Sequence, residues 1–535
     1  MAIGKNAESG QVLLLLLLIV LPLLVSSRSY NFNNNSNNNN VLTENLKDIS
    51  SSSSSSPFPP NFFFGTSSSA YQYEGAYGRG ISNWDVLTQT PGGIIDGSNG
   101  DVADDEYHLY QEDVELLASL GVNSHKISIS WSRVLPKGRH GSINWKGINY
   151  YKNLINALLL KGIEPFVTIN HYDLPQELED RYQGWLSPEL QEEYTYFAEV
   201  CFKNLGDRVK YWVTFNEPNA FALLAYRDGI WPPNRCSEPH GNCSQGDSAT
   251  EPFIAGHNMI LAHASAVNIY RNSYQKVQGG QIGIALLFYW YVPITNSTAD
   301  KAAAERGQSF STNWFLDPII YGTYPQAMKD LLGPVLPEFS SSDLEKLKAG
   351  IDFIGVNHYT TYYVQDCLSS KCEPSMSGNT REEGYVGHSM SKDGVLIGEL
   401  TGLSYLDVYP LGMEKVVTYV HEKFPNLPLY VTENGYCDTT TPSSSIEEVL
   451  NDTKRVKFLA DYLHALGTAI RKGADVRGYF VWSFLDNFEW TYGYTKRMGL
   501  YYVDRVTLKR TPKLSAHWYK HFIAENLLKE SKAKF

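Results

Sequence analysis

Short apolar runs alternate along this chain with longer stretches in which apolar residues recur every three or four positions. From Pro57 onward the short runs are Phe62–Gly65, Lys126–Ser130, Pro165–Ile169, Tyr211–Phe215, Ile282–Leu287, Phe353–Val356, Leu429–Thr432 and Tyr479–Trp482. Runs of this length between turn signals read as strands buried on both faces. The intervening stretches read as amphipathic helices, for example Glu106–Leu120 and Thr453–Lys472, with Gly121 and Gly473 where left-handed C-terminal caps belong. Eight strand–helix units predict an α/β fold, a single (β/α)8 TIM barrel with extended βα loops, because a closed parallel sheet accommodates that repeat as one unit.

The same pattern sets the domain limits. Val12–Val25 is a Leu-rich run behind Lys5, followed by Val25–Ser26–Ser27, which has the small residues of a cleavage site. It falls short of the ~20 residues a membrane span requires. Residues 1–27 therefore read as a signal peptide and 28–56, rich in Asn and Ser, as a low-complexity linker with too little apolar surface to fold. The barrel is expected over 57–528, with 529–535 as a C-terminal tail.

Polar residues gather where the strands end. Gln72 follows the first strand, His171 the third and Asn216–Glu217 the fourth. Asn357 and Tyr359 follow the sixth, Glu433–Asn434 the seventh, and Trp482 ends the eighth. In a parallel barrel these ends converge on one face, where active sites are built. Any one of these residues could be a rim hydrogen-bonder; six strands ending this way point to a site.

Composition narrows its chemistry. The 535-residue chain carries a net charge of −12, against nucleic acid or an anionic membrane as partner. Its 11 Trp and 36 Tyr exceed ordinary core needs and suit a pocket that stacks on sugar rings and aromatic aglycones, or a Tyr-rich surface. Cys236 and Cys243 flank one short loop, Cys367 and Cys372 another; the spacing favours disulfides over a metal site, more clearly for the first pair. Asn34, Asn242, Asn296 and Asn451 begin glycosylation sequons, consistent with the oxidising compartment a signal peptide implies. The expected location is extracellular, in the cell wall, with the vacuole as the alternative.

Glycoside hydrolysis needs one carboxyl to protonate the leaving oxygen and a second to attack carbon or activate water. Thr214-Phe215-Asn216-Glu217-Pro218 and Val431-Thr432-Glu433-Asn434-Gly435 place one glutamate each after strands four and seven. Each tripeptide alone is weak; at these two strand ends the pair is specific.

With these motifs the sequence resembles glycoside hydrolase family 1, in its plant β-glucosidase branch, over roughly residues 57 to 525. The resemblance rests also on Phe-Gly-Thr-Ser-Ser-Ser-Ala-Tyr-Gln-Tyr-Glu-Gly at 64–75, Ser-Trp-Ser-Arg at 130–133, His-Tyr-Asp-Leu-Pro at 171–175 and Trp-Ser-Phe-Leu-Asp-Asn-Phe-Glu-Trp at 482–490. It implies a retaining β-glucosidase with Glu217 as acid/base and Glu433 as nucleophile. Gln72, His171, Glu489 and Trp490 would bind the glucose hydroxyls and Asn216 the 2-hydroxyl. Trp482 would stack beneath the ring, and Tyr359 would bond the nucleophile.

Two positions depart from the family pattern. Lys126 stands where an Arg normally braces the nucleophile, and lysine lacks the planar fork, so Lys126→Arg is expected to raise kcat. Tyr172 stands where a Trp normally donates to the sugar. Within the branch the chain is most similar to the monolignol-glucoside group (coniferin and syringin). Tyr405 is placed at the aglycone entrance, offering a methoxylated phenol a flat face and a hydroxyl. No cofactor or metal is implied; the partner is a small-molecule β-glucoside. A transglucosidase using glucose esters or glucosides as donors, and an inactive sugar-binding barrel, stand as alternatives. A 6-phosphoglycoside is disfavoured because Glu489 would repel the phosphate.

Overall fold

A computed structural model describes residues 56–533 apart from 374–375 and 442. The expected signal peptide, the sequon at Asn34 and all of the linker before Ser56 lie outside the described residues.

The eight strands are β1 Phe63–Ser67, β2 Ser124–Ser128, β3 Glu164–Asn170, β4 Tyr211–Asn216, β5 Gln281–Pro293, β6 Phe353–Asp366, β7 Leu429–Asn434 and β8 Val476–Val481. Each pairs in parallel with the next. β8 returns to β1 through Phe63↔Gly478 to Thr66↔Val481, so the sheet is a closed barrel. Glu106–Leu120 forms the expected helix and ends at Gly121, whose φ of 84° is the left-handed conformation that glycine adopts without steric cost.

Seven of the strands send one large or apolar side chain to a common layer near the barrel's N-terminal end. Phe166, Val213, Ala285, Phe353, Tyr430 and Phe480 are buried together, with Phe63 packed against them. Phe166 lies 5.2 Å from the rings of both Tyr430 and Phe480. This plug closes one end of the barrel and leaves the C-terminal face for polar side chains.

Three features differ from expectation. β5 and β6 run well beyond the barrel and stay paired to Pro293↔Val364, because aromatic and β-branched residues continue past the predicted ends. β6 then pairs antiparallel with a short strand, Val386–Ser389. The last helix runs Leu514–Ala533 through residues read as tail, where no glycine or proline interrupts the pattern. Cys236–Cys243 and Cys367–Cys372 are both disulfides, the outcome the spacing favoured for each pair. Asn242, Asn296 and Asn451 are all exposed.

Candidate active site

The C-terminal strand ends surround a cavity of about 430 Å³ lined by His171, Glu217, Tyr359, Tyr405, Glu433, Trp482, Glu489 and Trp490, among others. With Tyr172, nine residues singled out from sequence thus line one cavity. Gln72 and Asn216 lie behind it. The Gln72 amide donates to Asn487 Oδ1 (2.8 Å) and the Phe488 carbonyl (2.9 Å), and its oxygen accepts from Ser69, so Gln72 braces the segment carrying Glu489 and Trp490.

Glu217 follows β4 at φ 44°, ψ 50° and begins the helix Pro218–Tyr226, with proline in its first turn. Proline suits a helix start, whereas the left-handed geometry at Glu217 costs a non-glycine residue about 1–3 kcal/mol. Tyr172 (φ 72°) and Trp490 (φ 48°) share that conformation. Three such residues on one cavity wall mark a backbone shaped to aim side chains.

One hydrogen-bond chain joins the two glutamates. Lys126, fully buried on β2, donates from Nζ to Glu433 Oε1 at 2.6 Å and to Asn216 Oδ1 at 2.7 Å. Tyr359 donates to the other oxygen, Glu433 Oε2, at 2.7 Å. Asn357 Nδ2 donates to Glu217 Oε1 at 2.7 Å and to Asn216 Oδ1 at 3.2 Å, and Thr432 fixes its amide by donating to Asn357 Oδ1. The Tyr172 hydroxyl is bonded to Glu217 Oε2. Asn357 is a partner that residue-type reasoning left unassigned. Its place just after the apolar run Phe353–Val356, two residues before Tyr359, was the available signal.

The two carboxyls occupy different electrostatic settings. Burial raises the Glu217 pKa to about 7, with repulsion from Glu433 second; the Tyr172 and Asn357 hydrogen bonds and nearby Lys126 pull the other way. Glu433 instead accepts from an ammonium and a phenol, partners that suit a carboxylate. Burial also lifts Glu489 to about 8, with both glutamates contributing, so the repulsion expected of it toward a 6-phosphate does not rest on a standing negative charge. Burial pushes His171 well below its usual range, so its imidazole is neutral. A carboxyl that keeps its proton to near neutrality beside one held as an acceptor is the combination glycoside cleavage requires.

The walls are aromatic. The Trp482 ring lies 5.8 Å from His171 at 23°, and packs with Leu403, Leu406, Cys437 and Met498. Trp490 is held by Trp84 at 4.5 Å and Trp231 at 5.8 Å. Tyr405 stands at the lip, 43% exposed, its carbonyl accepting from the Tyr362 hydroxyl at 2.9 Å. Trp231, Tyr289, Tyr362 and Tyr492 complete the entrance; they sit on loops and strand extensions, where sequence pattern carries little signal. Among the described residues no group of three or more His, Cys, Asp or Glu is placed to hold a metal ion.

Residues 54–528 match the family described as Glycosyl hydrolase family 1. "Coniferin beta-glucosidase" of Pinus contorta is 52% identical over 467 residues, covering 86% of this chain and 90% of the relative. "Probable inactive beta-glucosidase 14" of Oryza sativa subsp. japonica is 54% identical over 471 residues, covering 87% and 90%. Among solved structures, a rice β-glucosidase mutant in a covalent complex with Glc superposes with a TM-score of 0.83 at 44% identity, covering 87% of this chain and 98% of that one. The barrel, the two glutamates at the ends of β4 and β7, and a family match spanning nearly every described residue together show that the chain belongs to glycosyl hydrolase family 1, among its plant β-glucosidases.

Proposed function

We propose that this enzyme hydrolyses β-glucosides of phenylpropanoid, monolignol-type aglycones, with Glu217 as acid/base and Glu433 as nucleophile. The observation that carries the reading is the unequal treatment of the two carboxyls, one raised to about 7 and the other bonded to Lys126 and Tyr359. Protonated Glu217 delivers its proton to the departing phenol oxygen while Glu433 attacks the anomeric carbon. Once Glu433 is a neutral ester its repulsion disappears, the Glu217 pKa falls, and Glu217 takes a proton from water to release glucose. The covalent Glc complex of the rice relative is consistent with that intermediate.

The aglycone assignment rests on the tyrosine-rich lip around Tyr405 and on the 52% identity to a relative named for coniferin. Coniferin or syringin should be cleaved with a kcat/KM at least about tenfold above that for cellobiose, ~1.4 kcal/mol of discrimination. Comparable efficiency on cellobiose would remove the phenylpropanoid assignment. The N-terminal apolar run and the exposed sequons support secretion and glycosylation at Asn242, Asn296 and Asn451, which mass spectrometry of the enzyme secreted from plant cells would read.

The rice relative named as probable inactive, with the departures at positions 126 and 172, motivates a second reading: a barrel that binds glucosides without turning them over. Against it, both glutamates are present and Lys126 reaches Glu433 directly. Turnover of a chromogenic β-glucoside separates the two readings.

The direct bond also changes the expectation for Lys126→Arg. Lysine already contacts both Glu433 and Asn216 from a fully buried position, so it does not leave the nucleophile unbraced. A larger guanidinium overpacks that position at about 1–3 kcal/mol. We therefore expect Lys126→Arg to lower the melting temperature without raising kcat. A raised kcat would show that lysine supports Glu433 poorly.

Tyr172 bears on the pH profile. Acid catalysis requires the Glu217 proton, so kcat/KM should fall as pH rises through about 7. The Tyr172 hydroxyl stabilises the ionised carboxylate, and hydrogen bonds to charged groups contribute about 1.5–3 kcal/mol, roughly one pH unit or more. Tyr172→Phe should therefore move the alkaline limb upward by about one unit. A limb that stays in place would mean that the phenol does not set the Glu217 ionisation.

A further inference from the structure

A second chamber of about 370 Å³ adjoins the first and shares Ala220, Leu224, Leu287, Tyr289, Tyr362 and Tyr405 with it. Its far wall carries Leu223, Tyr291, Phe310, His388 and Met390. The β5 extension supplies Tyr291 and the strand Val386–Ser389 supplies His388, while Leu223 comes from the helix Pro218–Tyr226 and Phe310 from the helix Thr298–Phe310.

Its surface is a ladder of flat rings. Tyr291 and His388 stack at 5.5 Å and 9°, His388 and Tyr362 at 5.5 Å and 27°, and Tyr362 meets Tyr289 at 5.3 Å. Tyr289 and Tyr362 also face the first cavity, so the ladder runs from one space into the other. Burial lowers the His388 pKa to about 4, which keeps the middle ring neutral. The charges lining the chamber are paired: Arg227 with Asp228 at 2.7 Å and Glu383 at 3.4 Å, and Glu382 with Arg381, outside the lining, at 2.9 Å. Ser311 Oγ, which lines the chamber, is buried without a partner and would meet one ligand hydroxyl, but a sugar unit needs partners for several, and an ionised group would need an unpaired countercharge. A neutral aromatic ring needs neither.

We propose that the second chamber is a subsite for a second aryl ring of the substrate's own aglycone, so that the enzyme's substrates include β-glucosides of neutral phenols carrying two linked aromatic rings. The inference rests on the reading that glucose occupies the first cavity beside Glu217 and Glu433; the chamber then lies beyond the first aglycone ring.

The test compares four substrates on the full-length enzyme: coniferin, the β-glucoside of a neutral two-ring phenylpropanoid dimer, cellobiose and cellotriose. The two-ring glucoside should exceed coniferin in kcat/KM by about tenfold. Leu223→Trp, which fills the chamber from its helix side, and His388→Ala, which removes the middle ring, should each lower that ratio at least about fivefold. Calorimetric affinities for the same glucosides on the Glu433→Gln enzyme should follow the same ratio, so the chamber is tested even if turnover fails. A wild-type ratio near one, a ratio that neither variant moves, or a cellotriose advantage over cellobiose equal to the two-ring advantage would each overturn the proposal. An enzyme that binds the two-ring glucoside preferentially but turns over no glucoside would refute the proposed function and leave the chamber assignment standing.

Discussion

Replacing Glu433 with glycine is expected to lower kcat for aryl β-glucosides by a factor on the order of 10⁶, comparable to removing other enzymic nucleophiles. The loss follows from the chemistry, since without the carboxylate no glycosyl-enzyme ester forms. The remaining geometry makes the variant rescuable. Lys126 Nζ and the Tyr359 hydroxyl lie 2.6 Å and 2.7 Å from the oxygens being removed and would face the space left behind. A small anion such as azide should enter that space, attack from the same face in a single displacement, and yield the α-glucosyl azide. Added azide that restores no turnover, or a β-configured product, would show that Glu433 is not the nucleophile.

Glu217→Gly should divide substrates by their leaving groups. Proton transfer contributes about 10²–10⁴ in rate, and that factor is needed only when the departing oxygen is basic. Poor leaving groups should therefore lose the full factor, whereas activated phenols such as dinitrophenol should retain most of their glycosylation rate. The burial that raises Glu217 to about 7 makes it the acid in the resting enzyme. Equal losses across the leaving-group series would contradict that role, because a residue that only shapes the cavity has no reason to distinguish phenols by their acidity.

Much of the fold was legible because a parallel barrel strand is buried on both faces and reads as an apolar run. The ends of β5 and β6 were not. Past Leu287 and Val356 the continuous apolar run that marks a strand buried on both faces gives way to aromatic, threonine and polar residues, which favour a strand but do not mark where it stops. The site divides the same way. Glu217, Glu433 and their flanking residues could be read because chemistry restricts what can stand there. Lys126 and Tyr172 were visible as departures, but the partners they reach were not: Lys126 Nζ lies 2.6 Å from Glu433 and 2.7 Å from Asn216. Tyr172 stands where a Trp normally donates to the sugar, and the pattern gave no sign that its hydroxyl bonds Glu217. Contacts made across the barrel, between strands more than 40 residues apart in sequence, leave no local trace.

The most direct test of the account is to trap the enzyme with an activated 2-deoxy-2-fluoro-β-glucoside, which slows release of the intermediate, and to map the labelled peptide by mass spectrometry. The account predicts one covalent fluoroglucosyl group per molecule, esterified to Glu433 in the Val431–Gly435 segment, with activity lost in proportion to labelling. A label on any other residue, or an enzyme that hydrolyses β-glucosides without accumulating an adduct, would contradict it.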